Sequence, residues 1–245
     1  YEVLMPDLHY EHPELAALYD ADCGWSDDRD FYLSLAGRPP QRILDLGCGT
    51  GLICDAYAAR GHYVTGVDPA RAMLEIARLK PHGDDIEWVI STAQDFRSDK
   101  RFDLVIMTGH AFQVLLEDAD ISAVIEVVRT HLSSSGRFVF ESRNPVIDWP
   151  SLWDISHEVV RDSNIVPYTR RTVSHDGNRL TFEQCYDLGG QALTSTSELL
   201  FLSREEIEAR LIAGGLRVES VFGDWHGEPF DAASSREMIF SACLA

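Results

Sequence analysis

An acid and three glycines alternate in the stretch Asp45-Leu46-Gly47-Cys48-Gly49-Thr50-Gly51, directly after Ile43 and Leu44. Glycines so spaced mark a backbone that turns tightly and lies close to something else. A helix that starts just beyond such a turn offers unpaired N–H groups and the positive end of its dipole. This suits the holding of a ligand more than the making of bonds. A second acid, Asp68, stands nineteen residues beyond Gly49, where nucleotide-type folds place a carboxylate for ribose hydroxyls. Its plain structural role is to cap the helix expected from Pro69, and one carboxylate can serve both ends. Side chains that could move a proton or grip an acceptor come later. They are His110 beyond Met107 and Thr108, then Glu141, Arg143 and Asn144, then Asp224, Trp225 and His226. His110 is the best single choice for a substrate-facing base. Arg143 suits a substrate carboxylate or, more simply, a surface ion pair, and Trp225 suits packing.

These residues need elements to position them. Short apolar runs at 42–47, 63–68, 86–91, 102–107 and 136–142 predict strands covered on both faces. Helical patterns lie between them, after Gly51, from Pro69 with Met73, Ile76 and Ala77 on one face, and from about 118 to 132. Strand and helix in alternation predict a doubly wound α/β sheet, and the C-terminal strand ends carry every candidate above. Residues 12–37 read as a helical cap. Extended runs over 169–203, joined at Asp176-Gly177 and Gly189-Gly190, predict an inserted antiparallel sheet. Ser203 and Glu206 form a capping box, Gly214-Gly215 stops the helix, and the last two strands are too close in sequence for a helical crossover. The expected organisation is a cap over 1–40, a ligand-binding domain from 41–145 and 203–245, and an inserted β subdomain over 146–202 that serves as a lid or acceptor wall.

Forty acids against twenty-one bases in 245 residues give a net charge of −19, which repels a phosphate backbone and argues against nucleic-acid partners. No apolar run reaches the ~20 residues of a membrane helix, and the first fifteen residues lack the basic start and apolar centre of a signal peptide. Cytoplasm is the expected compartment. Five cysteines without metal spacing read as reduced thiols, and no metal is expected.

The dinucleotide fingerprint GxGxxG would need glycine where Leu52 stands. With Asp45 ahead of it, the pattern instead resembles the first motif of class I S-adenosylmethionine-dependent methyltransferases, over roughly 40–145 with a looser likeness to the end. That resemblance implies a Rossmann-like seven-stranded sheet with its last strand antiparallel. It also implies S-adenosylmethionine as cofactor and in-line methyl transfer to N or O of a small molecule. Asp45, Gly47, Cys48 and Gly49 would contact the cofactor, with Asp45 near its ammonium. Asp68, Pro69 and Met73 would lie at the ribose side. Thr92, Ala93 and Gln94 would line adenine, with Thr92 where an acid is common, and Met107 and Thr108 would follow. Tyr19 would reach down from the cap, with Tyr10 and Trp25 as weaker candidates. His110, Arg143, Asn144, Trp225 and His226 would face the small-molecule acceptor. Insertions like 157–202 occur in family members that methylate small molecules, including amino-sugar and glycine N-methyltransferases. Two other readings stay open: a non-catalytic protein that keeps the nucleoside site, and an NAD(P)-dependent oxidoreductase, which Leu52 and Asp45 disfavour. The acidic surface also suits a basic protein as acceptor.

Overall fold

Helices α1 (Leu8–Glu11), α2 (Pro13–Asp22) and α3 (Asp27–Leu35) precede β1 (Arg42–Leu46), whose Ile43, Leu44 and Leu46 are wholly buried. The computed structural model describes residues 7–245, so the first six residues of the expected cap lie outside the described residues. After β1 come α4 (Leu52–Ala59), β2 (Tyr63–Asp68), α5 (Arg71–Ala77), β3 (Glu87–Ile90), β4 (Phe102–Met107), α6 (Asp118–His131) and β5 (Leu132–Arg143). The short helix α7 (Trp149–Trp153) leads into β6 (Ile155–Arg161), β7 (Asn164–Asp176), β8 (Arg179–Asp187) and β9 (Ala192–Leu200). Helix α8 (Arg204–Ala213), β10 (Leu216–Phe222) and β11 (Glu237–Leu244) follow.

The large sheet has the order β10-β11-β5-β4-β1-β2-β3, with β11 antiparallel between β5 and β10. The winding direction reverses between β1 and β4, and the crevice beyond the C-terminal ends of those strands is where open α/β sheets bind ligands. Residues of α6 and α8 cover one face of the sheet, packed on Leu44, Val105 and Phe138. Residues of α3 and α4 cover the other, packed on Ile43, Ile106 and Ile239. Phe140 lies 4.7 Å from Phe138 and 5.1 Å from Phe240, ring centre to ring centre. Each such buried ring contributes ~1.5–3 kcal/mol, and the Phe140–Phe240 pair sets the register of β11 on β5.

The second sheet, β6-β7-β8-β9, is antiparallel throughout. Its inner face is sealed at one end by Leu15 and Leu18 of α2 against Val159, Val166, Tyr168 and Tyr186. At the other end Trp149 and Trp153 of α7 close on Leu180, Phe182 and Leu199.

Three boundaries differ from expectation. Helix α5 starts at Arg71 and not at Pro69, because the Asp68 carboxylate takes the Ala70 N–H at 2.8 Å and leaves Pro69 exposed in the turn. β5 begins at Leu132, paired with Phe102, since a Cβ at Gly136 would strike the Phe102 carbonyl and glycine alone allows that approach. A hairpin that carries no glycine, Asp162-Ser163, joins β6 to β7 with both residues at positive φ.

Candidate active site

The turn after β1 needs its glycines for two different reasons. An added Cβ at Gly47 would lie 3.1 Å from the Ala111 Cβ, and one at Gly51 would run into the Trp88 ring. At Gly49, with φ +53°, it would meet nothing within 4 Å. Internal packing therefore explains Gly47 and Gly51 but leaves the space over Gly49 for something else. The Gly47 and Cys48 N–H groups bond to the Val67 carbonyl at 2.8 and 3.0 Å, and the Gly49 N–H donates to Asp68 Oδ2 at 2.8 Å. Asp68 thus clamps two backbone turns with its two oxygens, and burial pushes its pKa up to about 6 against those bonds. Each oxygen keeps a lone pair for a ligand hydroxyl. The Cys48 side chain faces the core beside Cys54, so its contribution to the crevice is its backbone.

Asp45 is completely buried. Its Oδ2 accepts the Cys54 thiol at 3.3 Å, while Oδ1 has no partner among the described residues. Desolvation pushes the carboxyl up to about 7. A buried carboxylate short of donors is costly, and a cationic group, direct or through one ordered water, removes the deficit. The orphan oxygen and the open space at Gly49 together fit the ammonium end of a sulfonium nucleoside.

The cap closes from above. Asp20 of α2 accepts both the Thr50 hydroxyl and the Lys80 ammonium, fastening the helix to the glycine turn and to the segment after α5. Met73 is fully buried with Ala16 and Ala70, beneath Tyr10 and Tyr19. Those two rings sit 6.2 Å apart, and the Tyr19 hydroxyl lies 3.8 Å from where a Gly109 Cβ would be. Trp25 is exposed and bonded to Asp30 at 2.8 Å, outside this cluster. On the far side the Thr92 hydroxyl is tied to Asp95 at 2.9 Å, Ala93 packs on the core, and the Gln94 carbonyl accepts Arg97. Met107 is buried in the core at the end of β4, and Thr108 is half-buried just beyond it.

The acceptor-side residues divide sharply. His110 sits in left-handed backbone; its N–H donates to Glu141 Oε1 at 2.7 Å and its Nε2 lies 2.8 Å from Glu237 Oε2. Glu141 is buried, accepts the Tyr32 hydroxyl, and is held above the usual carboxylate range by desolvation. Arg143 departs from the surface ion pair expected for it. Its guanidinium bonds to Gln113 Oε1 at 3.0 Å and lies over Trp153 at 4.9 Å and Trp149 at 5.6 Å. Burial lowers its pKa to about 10, which leaves it charged at neutral pH. Asn144 is taken out of the acceptor set. Its amide N–H groups donate to the Ala232 and Ser235 carbonyls and pin the loop that carries them, while its Oδ1 accepts the Val146 N–H and shapes its own turn. Trp225 packs on Phe31 and Tyr32 at 5.9 and 6.1 Å. His226 is exposed in the turn held by Asp224.

Several residues here carried no readable signal. His9 is buried against Tyr10 and stacked on Tyr186, with Nδ1 unpartnered among the described residues and burial holding the imidazole below its ordinary range, hence neutral at pH 7. Glu237, Gln113, Trp153 and Arg170 join the acceptor side from four separate elements or loops. The Asp-Trp-Pro-Ser-Leu-Trp run at 148–153 was their only local hint, since Asp148 and Pro150 start a helix there.

Residues 43–136 match the sequence profile of a methyltransferase domain. The chain is 28% identical over 201 residues to the cypemycin N-terminal methyltransferase of a Streptomyces species, covering 80% of each chain. It is 32% identical to the ubiquinone biosynthesis O-methyltransferase of Stutzerimonas stutzeri strain A1501, over 57% of this chain and 58% of that one, so little more than half of that relative is spanned. A crystal structure of an S-adenosylmethionine-dependent methyltransferase from Clostridium acetobutylicum ATCC 824 superposes with a TM-score of 0.78 at 16% identity, over 96% of this chain and 99% of the other. At that identity the likeness is one of fold.

Proposed function

Because this chain carries a class I S-adenosylmethionine-dependent methyltransferase domain, we propose that it methylates a nitrogen or oxygen of a small molecule held between the glycine turn and the inserted sheet. The bound cofactor supplies an electrophilic methyl on a sulfonium whose charge disappears on transfer, so positioning can supply most of the rate. The observation that carries this reading is Oδ1 of buried Asp45, without a partner among the described residues, on the strand that leads into the turn left unfilled at Gly49. Asp45 would hold the amino-acid end and Asp68 the ribose. Thr92, Ala93, Gln94 and Thr108 would border the base. Tyr10 and Tyr19 would shut out water from above. His110, its ring fixed by Glu237 at 2.8 Å, is the proposed acceptor of the proton that a neutral amine or hydroxyl must lose.

Calorimetry with S-adenosylmethionine and S-adenosylhomocysteine tests the cofactor half: micromolar binding is expected, lost in Asp45→Asn. Turnover of labelled cofactor over a panel of amines and alcohols tests the catalytic half. No binding at millimolar cofactor would end the proposal, and binding without any turnover would favour a non-catalytic role. The five cysteines are all unpaired, which supports a reducing compartment such as the cytoplasm; no helix of the described residues is long and apolar enough to cross a membrane.

A further inference from the structure

Cationic side chains in this acid-rich chain are paired wherever they are shielded from solvent, with two exceptions. Arg29, Lys80, Arg179, Arg204 and Arg210 are each partly buried, and each touches a carboxylate. Arg143 and Arg170 are partly buried too, yet neither has a carboxylate within 4.0 Å among the described residues. Both lie against one indole, with each guanidinium carbon 4.9 Å from the Trp153 ring centre. A guanidinium has five N–H donors. Arg143 gives one to Gln113 at 3.0 Å and Arg170 one to the Trp153 carbonyl at 3.3 Å.

The surroundings explain why this is a place for a ligand and not only for packing. Arg170 stands in a row across the inner face of the second sheet, between Ile155 on one side and Gln184 on the other, and Gln184 pairs in turn with Ser195. Ser195 is 2% exposed and its hydroxyl has no partner among the described residues. Apolar clusters seal the face on both sides of that row, so its donors are confined to one polar strip. A charge held over an indole gains ~0.5–2 kcal/mol, which does not replace the several bonds each guanidinium forgoes. Arg143 ends β5 on the same edge as the glycine turn, opposite Glu237 of β11, whose carboxylate lies 2.8 Å from His110 Nε2. The cation pair on Trp153 therefore reaches the crevice through Arg143, which stands next to the strand position whose carboxylate holds His110.

We infer that Arg143 and Arg170, with Ser195, form an oxoanion site for the acceptor, so that the molecule methylated carries a carboxylate or a phosphate group. This rests on the methyltransferase reading for the word acceptor, but the anion site itself can be measured without it. An oxoanion supplies acceptor atoms in the plane that guanidinium forks require and supplies negative charge in direct contact, where Arg143 has only Glu237 and Glu141 at longer range. Gln113 orients one fork and the Trp153 carbonyl the other. An uncharged acceptor would leave both cations as they stand now.

The test is titration of succinate and of inorganic phosphate into the free protein and into protein saturated with S-adenosylhomocysteine, at constant ionic strength, followed by Trp fluorescence and calorimetry. At least one of the two anions is expected to bind at millimolar levels, and which one binds assigns carboxylate or phosphate. Arg170→Gln and Arg143→Gln should each weaken it by ~10-fold or more, with Arg170→Lys in between, while S-adenosylhomocysteine affinity stays within about twofold of wild type. Retained cofactor affinity also shows that each variant is folded. Absence of binding by both anions, or binding that both glutamine variants leave unchanged, overturns the oxoanion site. Failure of S-adenosylhomocysteine to bind the wild type overturns the methyltransferase reading instead, and the titration of the free protein still decides the anion question.

Discussion

The proposed nucleoside side of the crevice is made mostly of backbone, whereas the proposed acceptor side is made of side chains delivered from β5, β7, β9, β11 and α7. On the first side the central part comes from one strand end, one tight turn and one helix start: Gly49 keeps a space open, Asp68 ties two N–H groups, and Asp45 keeps an oxygen without a partner among the described residues. On the second, His110 meets Glu237 because β11 is laid against β5, and Arg143 meets Arg170 over Trp153 because the inserted sheet folds back over α7. A site of the first kind tolerates almost no change in residue type, since its demands are on φ and on buried charge. A site of the second kind can be rebuilt residue by residue, and that is how one scaffold serves different acceptors.

The most severe break in this contrast is expected from Gly49→Val. Its side chain would enter the open space from a left-handed backbone, so cofactor affinity should fall by roughly 100-fold, ~2.7 kcal/mol, and stability by ~1–2 kcal/mol. Calorimetry and thermal melts read both, and retained affinity would show that the space serves another purpose. Asp45→Asn should separate function from stability. Its carboxyl is raised from 3.8 to about 7 in the folded chain, so the native state binds a proton that the unfolded state has released. Wild-type stability is then lost as pH rises from about 4 to about 7. The amide is expected to gain roughly 2 kcal/mol over wild type at pH 8, little at pH 4, while losing the cofactor. A variant less stable than wild type at pH 8 would contradict the burial argument.

The same carboxyl sets a pH dependence for binding. A ligand ammonium at Asp45 favours the ionised form, so S-adenosylhomocysteine affinity should decline by up to about tenfold per pH unit below pH 7, and the difference from Asp45→Asn isolates that effect. Asp68, at about 6, adds to the lower part of the window. On the acceptor side Asn144→Ala should cost ~2 kcal/mol or more by stripping donors from the Ala232 and Ser235 carbonyls, with cofactor affinity unmoved. A loss of affinity there would mean that the two sides are not independent. The smallest effect belongs to Asp20→Asn: less than ~1 kcal/mol of stability, with faster cofactor release in stopped-flow.

What could be read in the residues follows the same division. The strands, the antiparallel last strand, the capping box at Ser203 and the glycine turn are local patterns, and local patterns report themselves. Asp162-Ser163 escaped because its positive φ values occur without glycine. The extra length of β5 escaped because Ser133, Ser134 and Ser135 read as a loop until Gly136 is seen lying on Phe102. Arg143 stood out as a residue but not for its company. Gln113 and Trp153 lie 30 and 10 positions away, and only the tertiary fold brings them together. Asn144 shows the reverse error, a polar residue at the right edge whose hydrogen bonds are all committed inward.

Strand β11 lies between β5 and β10 in the sheet although it follows both in sequence, and it opens with Glu237 opposite Arg143. A nascent chain that has already emerged through β10 must therefore hold a gap in its sheet, with two unsatisfied edges, until the next strand is synthesised. Such a chain can shape the glycine turn early but cannot assemble the His110–Glu237 pair. Ribosome-bound intermediates should accordingly capture nucleoside before they acquire any capacity for turnover.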